Sequence, residues 1–304
     1  MPARLLTAVA VLSLLVWGSS LAADARERNS AAGAQNDNSK TEDIDSEHIF
    51  GFTEGSDVGD AGEREAEIEP VGRFGKRTGF YAATSTALEL KYTVMENFRV
   101  APLVLLASHN IGNVPGLEDR NQWTIEGIGA ELRYRLMDRE RAPFGLALSA
   151  LPHRNRVDAM TGAPIELYGI DFVALFDKEL VPKRLFAALN LLYEPSWARS
   201  RETGAEERDA TVGIGAALSA QIAQGLFAGA EARYFRRYEG IGLDRFLGEA
   251  LFVGPSAYFK LSKEWFASVA WNAQVAGRAV GAPGPLDLTN FDRHEIRLRA
   301  GFQF

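Results

Sequence analysis

Four histidines, His48, His109, His153 and His294, are all the imidazole chemistry this chain has, and there is no cysteine to add a thiolate. Ser108, His109 and Asn110 stand in a row and supply the residue types of a nucleophile, a base and an orienting amide. On a strand, however, successive side chains leave on opposite faces, so Ser108 does not reach His109. His109 reads instead as a residue at a loop entrance. Scattered histidines give no metal-ligand spacing. Asp57, Asp60 and Glu63 lack the spacing of an EF-hand loop and read as a solvated turn. No glycine loop sits between a strand and a helix to cradle phosphate. The expectation is no catalytic residue, no metal and no cofactor.

The charged residues with a regular spacing are different in kind. In 294–304, "HEIRLRAGFQF", His294, Ile296, Leu298, Ala300, Phe302 and Phe304 share one parity, while Glu295, Arg297, Arg299, Gly301 and Gln303 share the other. A strand sends these sets to opposite faces, one suited to hydrocarbon and one to water or ion partners. A helix would scatter Arg297 and Arg299 around its circumference. The same alternation puts Glu89 and Lys91 opposite Leu88, Leu90 and Tyr92. It puts Glu131, Arg133 and Arg135 opposite Leu132, Tyr134 and Leu136, and Glu231 and Arg233 opposite Ala230, Ala232 and Tyr234. Extended to the first segment, it adds Glu67 and Glu69 to the polar face.

Twelve segments carry this pattern: 63–74, 80–93, 98–109, 122–137, 143–154, 165–180, 185–197, 210–221, 226–238, 250–260, 265–275 and 292–304. The connections after even-numbered segments are short ("VMEN", "VPKR", "AQG", "SKE"), and those after odd-numbered ones are mostly longer ("ARSRETGAEERD", "GRAVGAPGPLDLTNF"). An even strand count with loops sorted by length predicts an all-β, transmembrane, antiparallel up-and-down barrel of about 12 strands, with short periplasmic turns and longer extracellular loops. Tyr92, Phe98, Tyr134, Phe144, Phe176, Phe259, Trp265 and Phe304 fall on the outward parity near the short-turn ends, where aromatic rings favour a membrane interface.

The chain opens with Arg4, an apolar run from Leu5 to Trp17 and then small residues, the build of a cleaved secretory signal peptide over 1–22. Residues 23–62 are polar and acidic and read as a largely disordered periplasmic leader, in which Ile49, Phe50 and Phe52 need somewhere to dock. The barrel is expected over 63–304. A net charge of −7 argues against nucleic acid as a partner.

With its signal peptide, amphipathic strands, asymmetric loops and terminal Phe304, the chain resembles Gram-negative outer-membrane β-barrel proteins. The resemblance implies residence in the bacterial outer membrane, contact with its lipid, and delivery by the barrel-assembly machinery through the strand ending at Phe304. The stretch "FGFTEGSDVGDAGERE" also resembles the start of an uncharacterised family of proteobacterial outer-membrane proteins.

Candidate site residues are the inward charges Glu67, Glu69, Glu89, Lys91, Glu131, Arg133, Arg135, Glu231, Arg233, Glu295, Arg297 and Arg299. Closure sets the last strand beside the first, so Arg297 and Arg299 can face Glu67 and Glu69. The first functional reading is a narrow passive channel for small polar solutes, lined by balanced acidic and basic ladders. The alternative is a closed or plugged barrel serving as a structural or binding platform. A third is a lipid-modifying enzyme, since twelve strands also resemble the outer-membrane phospholipase architecture. The third segment, "FRVAPLVLLASH", is apolar on both faces and predicts something packed inside near it, with residues 49–52 as one candidate.

Overall fold

The computed structural model describes residues 44–304. The signal peptide expected over 1–22 and the leader over 23–43 lie outside the described residues. Twelve strands follow in order: β1 Arg64–Phe74, β2 Phe80–Met95, β3 Phe98–Gly112, β4 Arg120–Met137, β5 Gly145–Val157, β6 Pro164–Val181, β7 Leu185–Ser200, β8 Glu206–Ala223, β9 Leu226–Glu239, β10 Arg245–Lys260, β11 Trp265–Ala279 and β12 His294–Gln303. Each pairs antiparallel with its sequence neighbours, and β1 pairs with β12, so the sheet closes and no edge is left unpaired. The β1–β12 register runs from Glu65↔Gln303 to Phe74↔His294 and is interrupted only around Pro70, which has no N–H to give.

Burial runs opposite to that of a water-soluble fold. Leu88, Leu90, Tyr92 and Val94 of β2, Leu132, Tyr134 and Leu136 of β4, and Leu298 of β12 are exposed on the outer wall. Glu67, Lys91, Arg133 and Arg299, of the other parity, are buried. Such a continuous apolar wall is what a bilayer requires, because strands cross it with every backbone group paired within the sheet.

Two local features differ from the period-two reading. The strands run further at the long-loop end, β7 to Ser200 and β8 from Glu206, so the connecting loops are shorter than the sequence pattern predicts. Beyond the hydrocarbon there is no apolar face to maintain, so the alternation ends while the hydrogen-bond ladder continues. The second feature is a bulge in β4, where the register jumps from Leu105↔Gly127 to Leu106↔Ile125. A bulge adds one residue and resets parity. Glu126, which strict alternation would send outward with Leu132, is therefore buried, and Ile125 and Trp123 take the outer wall.

At the long-loop end the connections fold inward. Lys76 Nζ lies 2.8 Å from Asp292 Oδ1 and donates to the Phe291 carbonyl at 2.7 Å. Tyr81, Ala83, Ile111 and Val114 form a small cluster there, with Leu117 and Met160 packed on it.

Candidate functional site

Residues 44–58 are not a solvated leader: they enter the lumen from the short-turn end and bring Phe52 beside Glu231 and Arg233, while Asp60, Ala61 and Gly62 lie exposed just before β1. This corrects the expectation of a largely disordered segment over 44–58. The segment has no regular structure, so its backbone groups need outside partners once buried. Lumen side chains supply them. The N–H groups of Phe52 and Thr53 donate to Glu231 Oε1 and Oε2 at 2.9 and 2.8 Å. The Asn190 amide clamps Glu54, its Oδ1 accepting from Glu54 N–H and its Nδ2 donating to Glu54 O, both at 2.8 Å. Ser219 donates to the Ile49 carbonyl at 2.7 Å and Thr93 to the Val58 carbonyl at 2.6 Å. Ser56 donates to Asp177 through both its N–H and its hydroxyl.

Two glycines make this path sterically possible. A Cβ at Gly51 would stand 2.4 Å from Glu231 Oε1, and one at Gly55 would stand 2.4 Å from the Ser46 carbonyl oxygen. At Gly55 the obstacle is backbone, bonded to Gly55 N–H at 3.1 Å, so it cannot swing aside.

The hold on the segment has an apolar part and an ionic part. Ile49 and Phe50 are fully buried against Phe186, Ala188, Ala217, Phe227, Tyr258 and Phe266. That wall is built by β7 to β11, so the segment's apolar residues do not pack beside β3 as the sequence suggested. Full burial of two such side chains contributes about 3–6 kcal/mol together.

The ionic part gathers most of the sequence-derived charges around the segment's own carboxylates. Glu47 takes both guanidinium nitrogens of Arg99, the Lys91 ammonium at 3.1 Å and Arg133 Nη1 at 3.3 Å. Glu54 Oε2 accepts from Arg133 Nη2 at 2.6 Å, and its Oε1 accepts from Arg297 Nη2 at 2.7 Å and from Arg299 Nη2. Around this ring the barrel's carboxylates complete the pairing. Arg297 and Arg299 share Glu69 Oε2 at 2.6 and 2.8 Å, Glu131 holds Arg133 at 2.8 Å and Arg99 at 3.0 Å, and Glu67 holds Lys91 at 2.8 Å. Arg135 pairs with Asp57 at 3.2 Å. Higher in the lumen Arg233 pairs with Glu295 and lies over the Phe52 ring, 3.8 Å from its centroid. Glu89 faces the lumen on β2 with no ion pair among the described residues.

His48 joins this ring, its Nδ1 on Asp45 and its Nε2 3.0 Å from Glu67 Oε2. Donor atoms of Asp45, Glu47 and His48, and of His48, Glu65 and Glu67, lie close enough to one another to surround a cation. What stands among them is Lys91, whose ammonium is 2.9 Å from Glu65, 2.8 Å from Glu67 and 3.0 Å from His48 Nε2. The other histidines are dispersed. His109 is buried under a loop with Nε2 on the Ala159 carbonyl at 3.1 Å, while Ser108 faces outward, away from it. His153 lies 3.4 Å from Asp171, and His294 packs beside Trp271.

Sequence reasoning missed Glu47, His48 and Glu54 because they precede the first strand, and Glu126 because a bulge hides its direction. Their signals were present: an apolar trio (Ile49, Phe50, Phe52) in an otherwise polar stretch, with Gly51 and Gly55 set at close-approach points, and a carboxylate between Ile125 and Ile128 on a nominal lipid face.

A closed antiparallel barrel with an apolar outer wall and a charged, partly occupied interior defines an outer-membrane β-barrel protein. Within that class the chain belongs to a family of unknown function, DUF6662, whose model matches residues 42–304. None of the curated proteins matches its sequence. Among solved structures it is similar to an outer-membrane channel from Pseudomonas putida F1, at 15% identity over 82% of this chain and 98% of that one, with a TM-score of 0.54. It also aligns with the NanC porin (11% identity, 78% and 98% covered, TM-score 0.46). The translocator domain of the autotransporter NalP from Neisseria meningitidis gives 14% identity, 82% and 91% covered, and a TM-score of 0.47. At these identities the likeness is one of fold.

Proposed function

We propose that this outer-membrane barrel is a channel for small polar solutes held shut, from its periplasmic end, by residues 44–58 of its own chain. The observation that carries the reading is the placement of Glu47 and Glu54 among Lys91, Arg99, Arg133, Arg297 and Arg299 in the lumen. It favours a latched barrel over the standing open pore that the balanced ladders first suggested. Buried ion pairs are poor sources of net stability but costly to break one partner at a time, roughly 3–5 kcal/mol each. They suit a latch that opens as a unit. The conduit half of the reading draws support from Asp171, Glu194, Ser196 and Thr211, inward on β6 to β8 and only half-buried, and from the Pseudomonas putida channel of the same fold. No hydrolytic step is assigned, since Ser108 and His109 face opposite ways.

Planar-bilayer recording tests it. The full chain should be closed nearly all the time, deletion of 44–58 should give discrete current steps, and Glu47→Gln with Glu54→Gln should give frequent openings with the apolar anchor still in place. A deletion variant that is folded, inserted and silent would overturn the channel.

A further inference from the structure

Glu54 is a carboxylate carried into the lumen on an irregular segment, and three guanidiniums from two strands converge on it. Arg133 of β4 takes one oxygen at 2.6 Å, while Arg297 and Arg299 of β12 take the other, Arg297 at 2.7 Å. Arg133 and Arg299 are nearly inaccessible, their side chains 3% and 2% exposed. Planar guanidiniums meeting a carboxylate from several directions are the usual chemistry of organic-anion recognition.

The barrel by itself does not fully satisfy these cations. Arg297 and Arg299 share a single oxygen of Glu69, and Glu67, at 3.6 Å from Arg299, is already held by Lys91 and His48. Lys91, Arg99, Arg133, Arg297 and Arg299 touch only Glu65, Glu67, Glu69 and Glu131 on the barrel wall. Glu89 faces Lys91 and Arg99 from β2 without an ion pair, and the other carboxylates paired with these cations, Glu47 and Glu54, belong to the segment. Withdrawal of the segment therefore removes Glu54 from Arg133, Arg297 and Arg299 and leaves an anion-binding site there.

The geometry points to an organic-carboxylate site formed by Arg133, Arg297 and Arg299, at which Glu54 stands in for the solute and which a small carboxylate takes over to release the latch. This rests on the closed-channel reading and names its solute class. Competition follows from the shared site: the incoming carboxylate and Glu54 cannot both occupy the same three guanidiniums, so each bound solute favours the withdrawn segment.

Sodium succinate is the probe, with glucose and choline chloride as neutral and cationic comparisons. On the full chain in a planar bilayer, millimolar succinate should raise the open probability at least tenfold, and glucose or choline should leave it unchanged. Glu54→Gln removes the competing charge and spares all three arginines, so calorimetry in detergent should find succinate bound at least tenfold more tightly than by the full chain. If the deletion of 44–58 conducts but succinate neither opens the full chain nor binds Glu54→Gln, the carboxylate site is wrong and the closed channel stands. If the deletion is silent yet Glu54→Gln binds succinate, the site stands without the channel.

Discussion

His48 shows how much one side chain on the inward segment can report. It faces Asp45 and Glu47 of its own segment, Glu65 and Glu67 of β1, Lys91 of β2 and the Phe266 ring of β11. Burial and the Lys91 ammonium oppose its charge, but the Asp45, Glu47 and Glu65 carboxylates outweigh them and hold its pKa well above the ordinary 6.5. A group whose pKa rises on docking stabilises the docked state fully below about pH 6.5 and loses that contribution as pH climbs through the docked value. For Asp45, Glu47 and Glu54 the largest influence, burial, again opposes charge. The cations around them nevertheless prevail and hold these carboxyls below their usual range. Their contribution is present above about pH 4 and fades only in stronger acid. The latch should therefore loosen toward alkali through His48, with open probability climbing as pH rises above neutral, and His48→Gln should flatten that climb. An unchanged profile in His48→Gln would remove the histidine from the latch.

At the scale of one strand, β12 sorts its residues by solvent. Leu298 is 46% exposed on the outer wall, while its neighbours Arg297 and Arg299 point into the ion ring. Leu298→Arg should destabilise the folded barrel by about 2–4 kcal/mol, the cost of a basic residue at the bilayer midplane. Urea unfolding in lipid vesicles reads this directly, and a shift under about 0.5 kcal/mol would place Leu298 away from lipid. The strand was legible in the sequence because period two is imposed by backbone geometry along its whole length. Glu126 was not, since one extra residue in β4 inverts the parity beyond it and nothing in the local alternation marks where the insertion falls. Seam contacts between β1 and β12 were legible as neighbours, but which oxygen of Glu69 the two arginines share depends on side-chain reach across the closed ring.

For the molecule as a whole, the wall and its occupant are separable. The β1–β12 and β1–β2 ladders close the ring through backbone bonds that owe nothing to residues 44–58. The deletion variant should therefore keep the migration difference between unboiled and boiled samples on a detergent gel, with a modest loss of stability. Disappearance of the unboiled band would make the segment a structural strut. The strands, their number, the closure and the two faces of the wall were legible in the residues alone, because each follows from alternation repeated at short range and from turns between adjacent segments. What packs inside the barrel was not legible there, because it depends on a segment with no periodicity of its own. Its path is dictated by partners far along the chain: Glu231, Asn190 and the arginines of β4 and β12. An irregular stretch in water and the same stretch inside a charged ring differ in their surroundings alone, and those surroundings exist only once the barrel has closed.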